Sequence, residues 1–377
     1  MAVRSPGDVR DLHATLSAVP ALLAQRRAVY SAAIELSGGG ASQVPDAVLD
    51  NPAVRAHLGA VLGGTAALDP AQLVPVDDLV EPGSTFPVSG GRVRVASSPA
   101  APAALGPAVD RITGQLQRHG DRSGPRLLVG ADPAFAPALE VLREGVELAV
   151  RLAPELVADL LPHVAVIAVL AQDDAGRLGS ASSREHPGLI MVPEPRSALE
   201  MAEALVHEGA HQKFFDLAIT RSLFGPDHGQ APAFSPPWAP PGAPPWLLEQ
   251  CFAAFHAYVL LSVLHRAVGD GQEPPAGSLL PVAAERATVL GDWLVGRGAF
   301  LGADGRTLVE LLHGTRPVSG DRSDDALPPA DLLDRAEVVR HCDGRTLVVR
   351  SGSPVELFWV AGAEGTPELR RAVGTQD

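Results

Sequence analysis

The chain has 377 residues, 46% of them hydrophobic, and carries 44 Asp and Glu against 30 Lys and Arg, a formal net charge of −14. That length bounds it to one large or two ordinary domains with a substantial core. The charge argues against a nucleic-acid binder, which needs a basic face. Two cysteines, Cys251 and Cys342, make no disulfide framework and fit a reducing cytoplasm.

The N-terminal Met-Ala-Val-Arg-Ser-Pro-Gly-Asp has no signal-peptide core, and no run of about 18 apolar residues suggests a membrane span. A cytoplasmic protein is expected. Lys213 is the only lysine, so arginine carries the rest of the positive charge. With the alanine excess this reads as the coding bias of a GC-rich genome and carries no function by itself.

In chain order, Ser5-Pro6-Gly7-Asp8 places an N-cap and a Pro at a helix start, and apolar spacing extends that helix to Ser37 with a break at Pro20. Asn51-Pro52 opens a helix through Leu62, closed by Gly63-Gly64; residues 65–90 are turn-rich, and Val93–Val95 alternates as a strand. Pro107–His119 reads as helix, Arg126–Val129 as strand and Ala136–Leu161 as one long helix. Val164–Leu170 and Gly188–Val192 are buried strands by their β-branched runs, separated by the polar loop Gln172–Pro187.

The second strand leads into Ser197–Ala218, which contains His207-Glu208-Gly-Ala-His211. Ser197 with Glu200 three residues later is a capping box, and nothing stops the helix before Phe224 and Gly225-Pro226. Four residues apart on a helix, His207 and His211 lie one turn apart on one face. Both imidazoles can reach one metal ion at about 2.0–2.1 Å, with Glu208 beside it to act on bound water or orient a ligand.

Gly225–Pro245 is irregular and proline-rich, and it carries Trp238 with Trp246 next to follow; a wall or lid over the metal cleft is the preferred reading. Trp246–Arg266 is a helix apolar nearly all round, hence buried. Glu249 and His256 share one face of it, and one of them is the natural third ligand, because a buried ionisable group is costly unless paired or metal-bound. Leu280–Gly296 and Gly298–His313 are further helices. Thr315–Asp331 is a polar linker, and Ala336–His341, Thr346–Arg350 and Val355–Val360 form a β meander with a turn at Asp343-Gly344.

The expected fold is α+β and mostly helical. A zincin-like metal helix packs on a small sheet, with N-terminal helices (1–120), the HExxH region (121–314), a linker (315–332) and a short C-terminal β meander (333–377). Such a layout sets an edge strand beside the metal, where an extended peptide can lie.

Leu205-Val206-His207-Glu208-x-x-His211-x-Lys213, then Ser-Pro-Pro-Trp238, then Phe255-His256-Ala257-Tyr258 resembles the HExxH-motif proteins of ribosomal peptide natural-product clusters, α-ketoglutarate-dependent peptide β-hydroxylases. The resemblance runs from about Leu161 to Leu312. It implies Fe(II) held by His207, His211 and His256, with α-ketoglutarate and O2 as co-substrates and a precursor peptide as partner. Glu208 would then orient water or co-substrate rather than attack a carbonyl. The distal carboxylate of α-ketoglutarate calls for an arginine fork, for which Arg286 and Arg266 are candidates. The family pattern places an Arg after the Pro-Trp pair and another before the helix of the third His; here those places read Pro237-Trp238-Ala239 and Pro244-Pro245-Trp246.

Two rivals stand beside it. A zinc metallopeptidase would use Zn2+, Glu208 as general base and Glu249 as third ligand, though Lys213 occupies a position that zincin helices keep apolar. An inactive homologue would keep the fold as a peptide-binding partner.

Overall fold

The computed structural model describes residues 19–39, 44–88, 91–117, 125–171, 179–269, 273–314, 336–342, 345–350 and 355–361. Among these the protein is α+β and about 55% helical, with ten α-helices and three small sheets. Helix α1 is described over Val19–Leu36, with Pro20 at its second position, where a proline lacks only an N–H that a helix start leaves unpaired; what precedes Val19, the start expected at Ser5 included, lies outside the described residues. One-turn α2 (Asp46–Leu49) leads into α3 (Pro52–Leu62), where the Asn51 side chain accepts from the Ala53 N–H at 3.0 Å and Gly63 follows the last turn.

The turn-rich stretch holds an unexpected strand. β1 (Thr85–Val88) pairs antiparallel with β2 (Gly91–Arg94). Helix α4 (Ala101–Gln117) begins six residues before Pro107, with Ser98 as its start signal: Ser98 Oγ accepts from the Ala100 N–H and Ser98 O from the Ala101 N–H. Arg126–Val129 forms no strand, only an isolated bridge from Leu127 to Leu170. The long helix expected over Ala136–Leu161 is two, α5 (Phe135–Leu152) and α6 (Pro154–Leu160), followed by a 3-10 turn over Leu161–His163. Pro154 causes the break, since it has no N–H to donate and its ring clashes with the carbonyl four residues back.

The sheet next to the HExxH helix has the order β3 (Val166–Leu170), β5 (Leu189–Pro193), β4 (Ala181–Ser182). β3 and β5 are parallel, in register Val166 with Leu189, and every residue of both is buried. Two-residue β4 lies antiparallel on the outer edge of β5. Helix α7 (Ala198–Thr220) carries the HExxH residues. It stops four residues short of Phe224 because the chain turns extended at Arg221 to pair with the segment before α10: Leu223 O accepts from the Gly302 N–H, and Phe224 bridges Leu301.

Helix α8 (Leu248–Val268) is long and apolar enough to cross a membrane, and two thirds of its most apolar window lies inside the protein. It packs between α7 and α9 (Ala283–Val295), and α10 (Ala303–His313) lies against α9. α5 closes the other side of α7 at Gly145, where an added Cβ would stand 2.4 Å from Met201 Cβ, so only glycine permits this spacing.

The meander appears as β6 (Val338–Cys342), β7 (Arg345–Arg350) and β8 (Glu356–Ala361), in that order and antiparallel. Its expected Asp343-Gly344 turn and the 315–331 linker lie outside the described residues. The sheet packs on α1 and on the end of α7. There Trp359 Nε1 donates to Ile219 O at 3.0 Å and an Arg345 N–H to Thr220 O at 3.3 Å, capping carbonyls that a helix C-terminus leaves without partners.

Candidate metal centre

α7 starts as its sequence requires. Ser197 Oγ accepts from the Glu200 N–H at 3.2 Å, while the Glu200 carboxylate reaches back to the Arg196 N–H, one residue earlier than an ideal capping box. Two turns on, the helix places His207 and His211 on one half-buried face. Their Nε2 atoms lie 3.3 Å apart and their ring centroids 4.9 Å apart. Two nitrogens bound at about 2.0–2.1 Å to one tetrahedral ion are about 3.3–3.4 Å apart, so the pair has the spacing of two ligands.

Glu208 is buried and fully engaged. Its Oε1 accepts from Ser180 Oγ at 2.8 Å, its Oε2 from Ser182 Oγ at 2.6 Å, and its Oε1 stands 3.4 Å from His207 Nδ1. Burial works against its charge, but His207 and these donors hold it down to about 2. The carboxylate in turn keeps the His207 proton on Nδ1, leaving Nε2 free to ligate. It raises the His207 pKa against the effect of burial, whereas burial and the neighbouring His207 push His211 down to about 4.

His256 is buried on α8, its Nδ1 3.1 Å from Ala210 O and its ring 5.9 Å from that of Phe214. Burial first, and Lys213 next, push it down to about 3, so it is neutral. A neutral ring that donates from Nδ1 keeps its lone pair on Nε2. Among the described residues, however, no three His, Cys, Asp or Glu side chains come together as a group that could hold a metal ion. The structure forms the His207–His211 pair and does not bring His256 into it.

Glu249, the other candidate third ligand, is engaged elsewhere: it pairs with Arg184, and His228 Nε2 lies 3.3 Å from its Oε1. Lys213 is buried against Asp159 of α6 at 2.5 Å. Arg266 sits in the last turn of α8, ten residues and about 15 Å of helix beyond His256.

Arg286 is linked to the pair through Tyr258. Its Nη1 donates to Tyr258 Oη at 2.8 Å, and its guanidinium stands over the rings of Trp238 and Tyr258 at 5.0 and 5.5 Å. Tyr258 is stacked 6.4 Å from His207. The proline-rich segment thereby sets Trp238 against Arg286 and Tyr258. Glu203, one turn before His207, accepts from Ser278 Oγ and the Leu279 N–H, both at 2.6 Å, and so fixes the approach to α9, and with it Arg286, against α7.

No protein-family model matches this chain, and no curated protein matches it in sequence. Three of the residues that matter, Ser180, Ser182 and Tyr258, had no assigned role in the sequence. The serines carried a signal, the Gly-Ser-Ala-Ser-Ser run, but the edge strand that aims them at Glu208 is only two residues long.

Proposed function

We propose that this protein is a non-haem Fe(II), α-ketoglutarate-dependent oxygenase that hydroxylates a β-carbon in a ribosomally made precursor peptide. The observation that carries the reading is the convergence of His207 and His211 Nε2 at 3.3 Å beside a buried, charged Glu208 and an arginine boxed by aromatic rings. His207 and His211 would hold the iron; His256 of the adjoining helix, which the structure does not group with them, would become the third ligand only by moving toward the pair. Iron bound there would activate O2 alongside α-ketoglutarate, one oxygen atom going to succinate as CO2 is lost and the other replacing a peptide C–H by C–OH.

The chain's own residues do the rest. Glu208 fixes the His207 tautomer and stays anionic. Arg286 offers its fork to the distal carboxylate of the co-substrate, taking the place of the arginines absent at Ala239 and Pro245. Trp238 and Tyr258 would keep water from that side, and the outer side of β4, the last described strand of its sheet, is where an extended peptide would lie.

One observation weighs against the zinc-peptidase alternative: Glu249, its third ligand, is held by Arg184 and His228. The inactive-homologue reading rests on the arginines missing from the family pattern; the 3.3 Å approach of the His207 and His211 Nε2 atoms weighs against it.

Protein loaded with Fe(II) and α-ketoglutarate without O2 should show a visible metal-to-ligand charge-transfer band. Correctly loaded protein without that band would sink the oxygenase reading. His256→Ala should lose retained metal while Glu249→Ala keeps it; the reverse result would point to the peptidase.

A further inference from the structure

The chain has four tryptophans and two tyrosines, and three of these six rings follow one another from His207 outward. The Tyr258 ring lies 6.4 Å from that of His207 at an interplanar angle of 22°. Trp238 lies 6.2 Å from Tyr258, and Trp246 lies 6.2 Å from Trp238. Tyr258 is buried and Trp246 half-exposed, so the series runs from the imidazole pair toward solvent. Among aromatic side chains, tryptophan and tyrosine give up an electron readily and phenylalanine does not. Electron transfer weakens steeply with distance, so short steps between neighbouring rings outpace one long step.

The surroundings give the series a direction. The Arg286 guanidinium stands 5.0 Å over Trp238 and 5.5 Å over Tyr258, and among the described residues no cation stands over Trp246. Positive charge on either inner ring is therefore repelled toward Trp246. Protons point the same way. Tyr258 Oη accepts from Arg286 Nη1, and its own O–H has no acceptor among the described residues. Trp238 Nε1 is buried without a hydrogen-bond partner, whereas that of Trp246 is not enclosed. Neither inner ring has a protein group to take its proton, so neither settles as a neutral radical; Trp246 can release its proton to water.

We propose that Tyr258, Trp238 and Trp246 form an electron relay that protects the site when an oxidant is made there and no peptide C–H is in reach. The proposal rests on the redox-active metal of the oxygenase reading, held at His207 and His211. Tyr258 gives one electron to the O2-derived oxidant, Trp238 gives one to Tyr258, and Trp246 gives one to Trp238. Oxidised Trp246 loses its indole proton to water, and a thiol in solution returns one electron and one proton. The oxidant is thus reduced by one electron while the imidazoles stay intact.

The full chain loaded with Fe(II) and given hydrogen peroxide, without α-ketoglutarate or peptide, tests this by mass spectrometry of its oxidised residues. Trp359 is the reference, half-buried like Trp246 but bonded to Ile219, about 18 Å of helix beyond His207. Oxidation of Trp246 should exceed that of Trp359. Trp238→Phe should bring Trp246 down to the level of Trp359 and raise oxidation at Tyr258, and Trp238→Tyr should restore Trp246. Unchanged thermal midpoints would verify that both variants are folded. Trp246 oxidation that only matches Trp359, or that survives Trp238→Phe, overturns the relay, because the oxidant then arrives through solvent. The charge-transfer band separates the relay from the reading beneath it. A band without the Trp246 pattern removes the relay alone, the pattern without a band removes the hydroxylase and leaves the relay, and the absence of both removes both.

Discussion

Ser182 Oγ donates to Glu208 Oε2 at 2.6 Å, joining the two-residue strand β4 to the HExxH helix. Ser180 does the same for the other oxygen. Removing both hydroxyls by Ser180→Ala with Ser182→Ala leaves a buried carboxylate short of two charge-assisted hydrogen bonds, each worth about 1.5–3 kcal/mol. Glu208 should then titrate at higher pH, and affinity for a divalent probe should fall about 10–100-fold. A Co2+ titration followed by its visible spectrum checks this. Unchanged affinity would mean that the serines only fill space.

Behind the helix, Asp216 Oδ2 accepts from Arg26 of α1 and from His163 Nδ1, both at 2.6 Å, with all three side chains buried. Arg55 and Arg27 meet at Asp50, which Arg26 also reaches. Asp216→Asn leaves Arg26 facing a neutral amide in the interior. Removing one partner of a buried pair costs about 3–5 kcal/mol, so urea unfolding should show a loss in that range. A loss below about 1 kcal/mol would mean that Asp50 alone satisfies Arg26.

Stability should also depend on pH through the buried imidazoles. Burial lowers His163, His211 and His256, the last two to about 4 and about 3. The unfolded chain therefore binds protons that the folded chain refuses, and stability rises with pH. This contribution is complete above the unfolded value of about 6.5 and is lost as pH falls toward the folded values. His207, raised by Glu208, acts in the opposite sense, against four lowered groups, since burial also lowers His186. The thermal midpoint of the metal-free protein should fall from about pH 6.5 to about pH 4, less steeply in His163→Gln. An equal slope would place the titration elsewhere.

The C-terminal meander should stabilise α7 although it touches none of the HExxH residues. Trp359→Phe keeps most of the ring and removes the N–H given to Ile219 O. A net cost of about 1 kcal/mol is expected, and hydrogen exchange should rise first in the last turn of α7. Uniform exchange along the helix would argue that the contact only adds bulk.

Local rules made much of this readable in the sequence. The Asn51 and Ser197 caps, the fully apolar strands around β3 and β5, the i, i+4 pairing of His207 and His211 and the alternation of the meander depend on neighbours within a few residues. So does the burial of α8, whose apolar residues leave no face for water. The misreadings were local contests too. Ser98 rather than Pro107 starts α4, and Pro154 divides what periodicity alone made one helix.

Only the tertiary structure decided which distant groups meet. The serine run finds Glu208 through a two-residue edge strand, Arg286 meets Trp238 and Tyr258 across two helices and a proline-rich segment, and Glu249 is drawn to Arg184 and His228. None of these pairings has a period or a cap to announce it, because each depends on how helices seated by apolar contacts present their remaining polar side chains. The sequence by itself determined a helix with two imidazoles on one face; the packing around that helix determined what surrounds them.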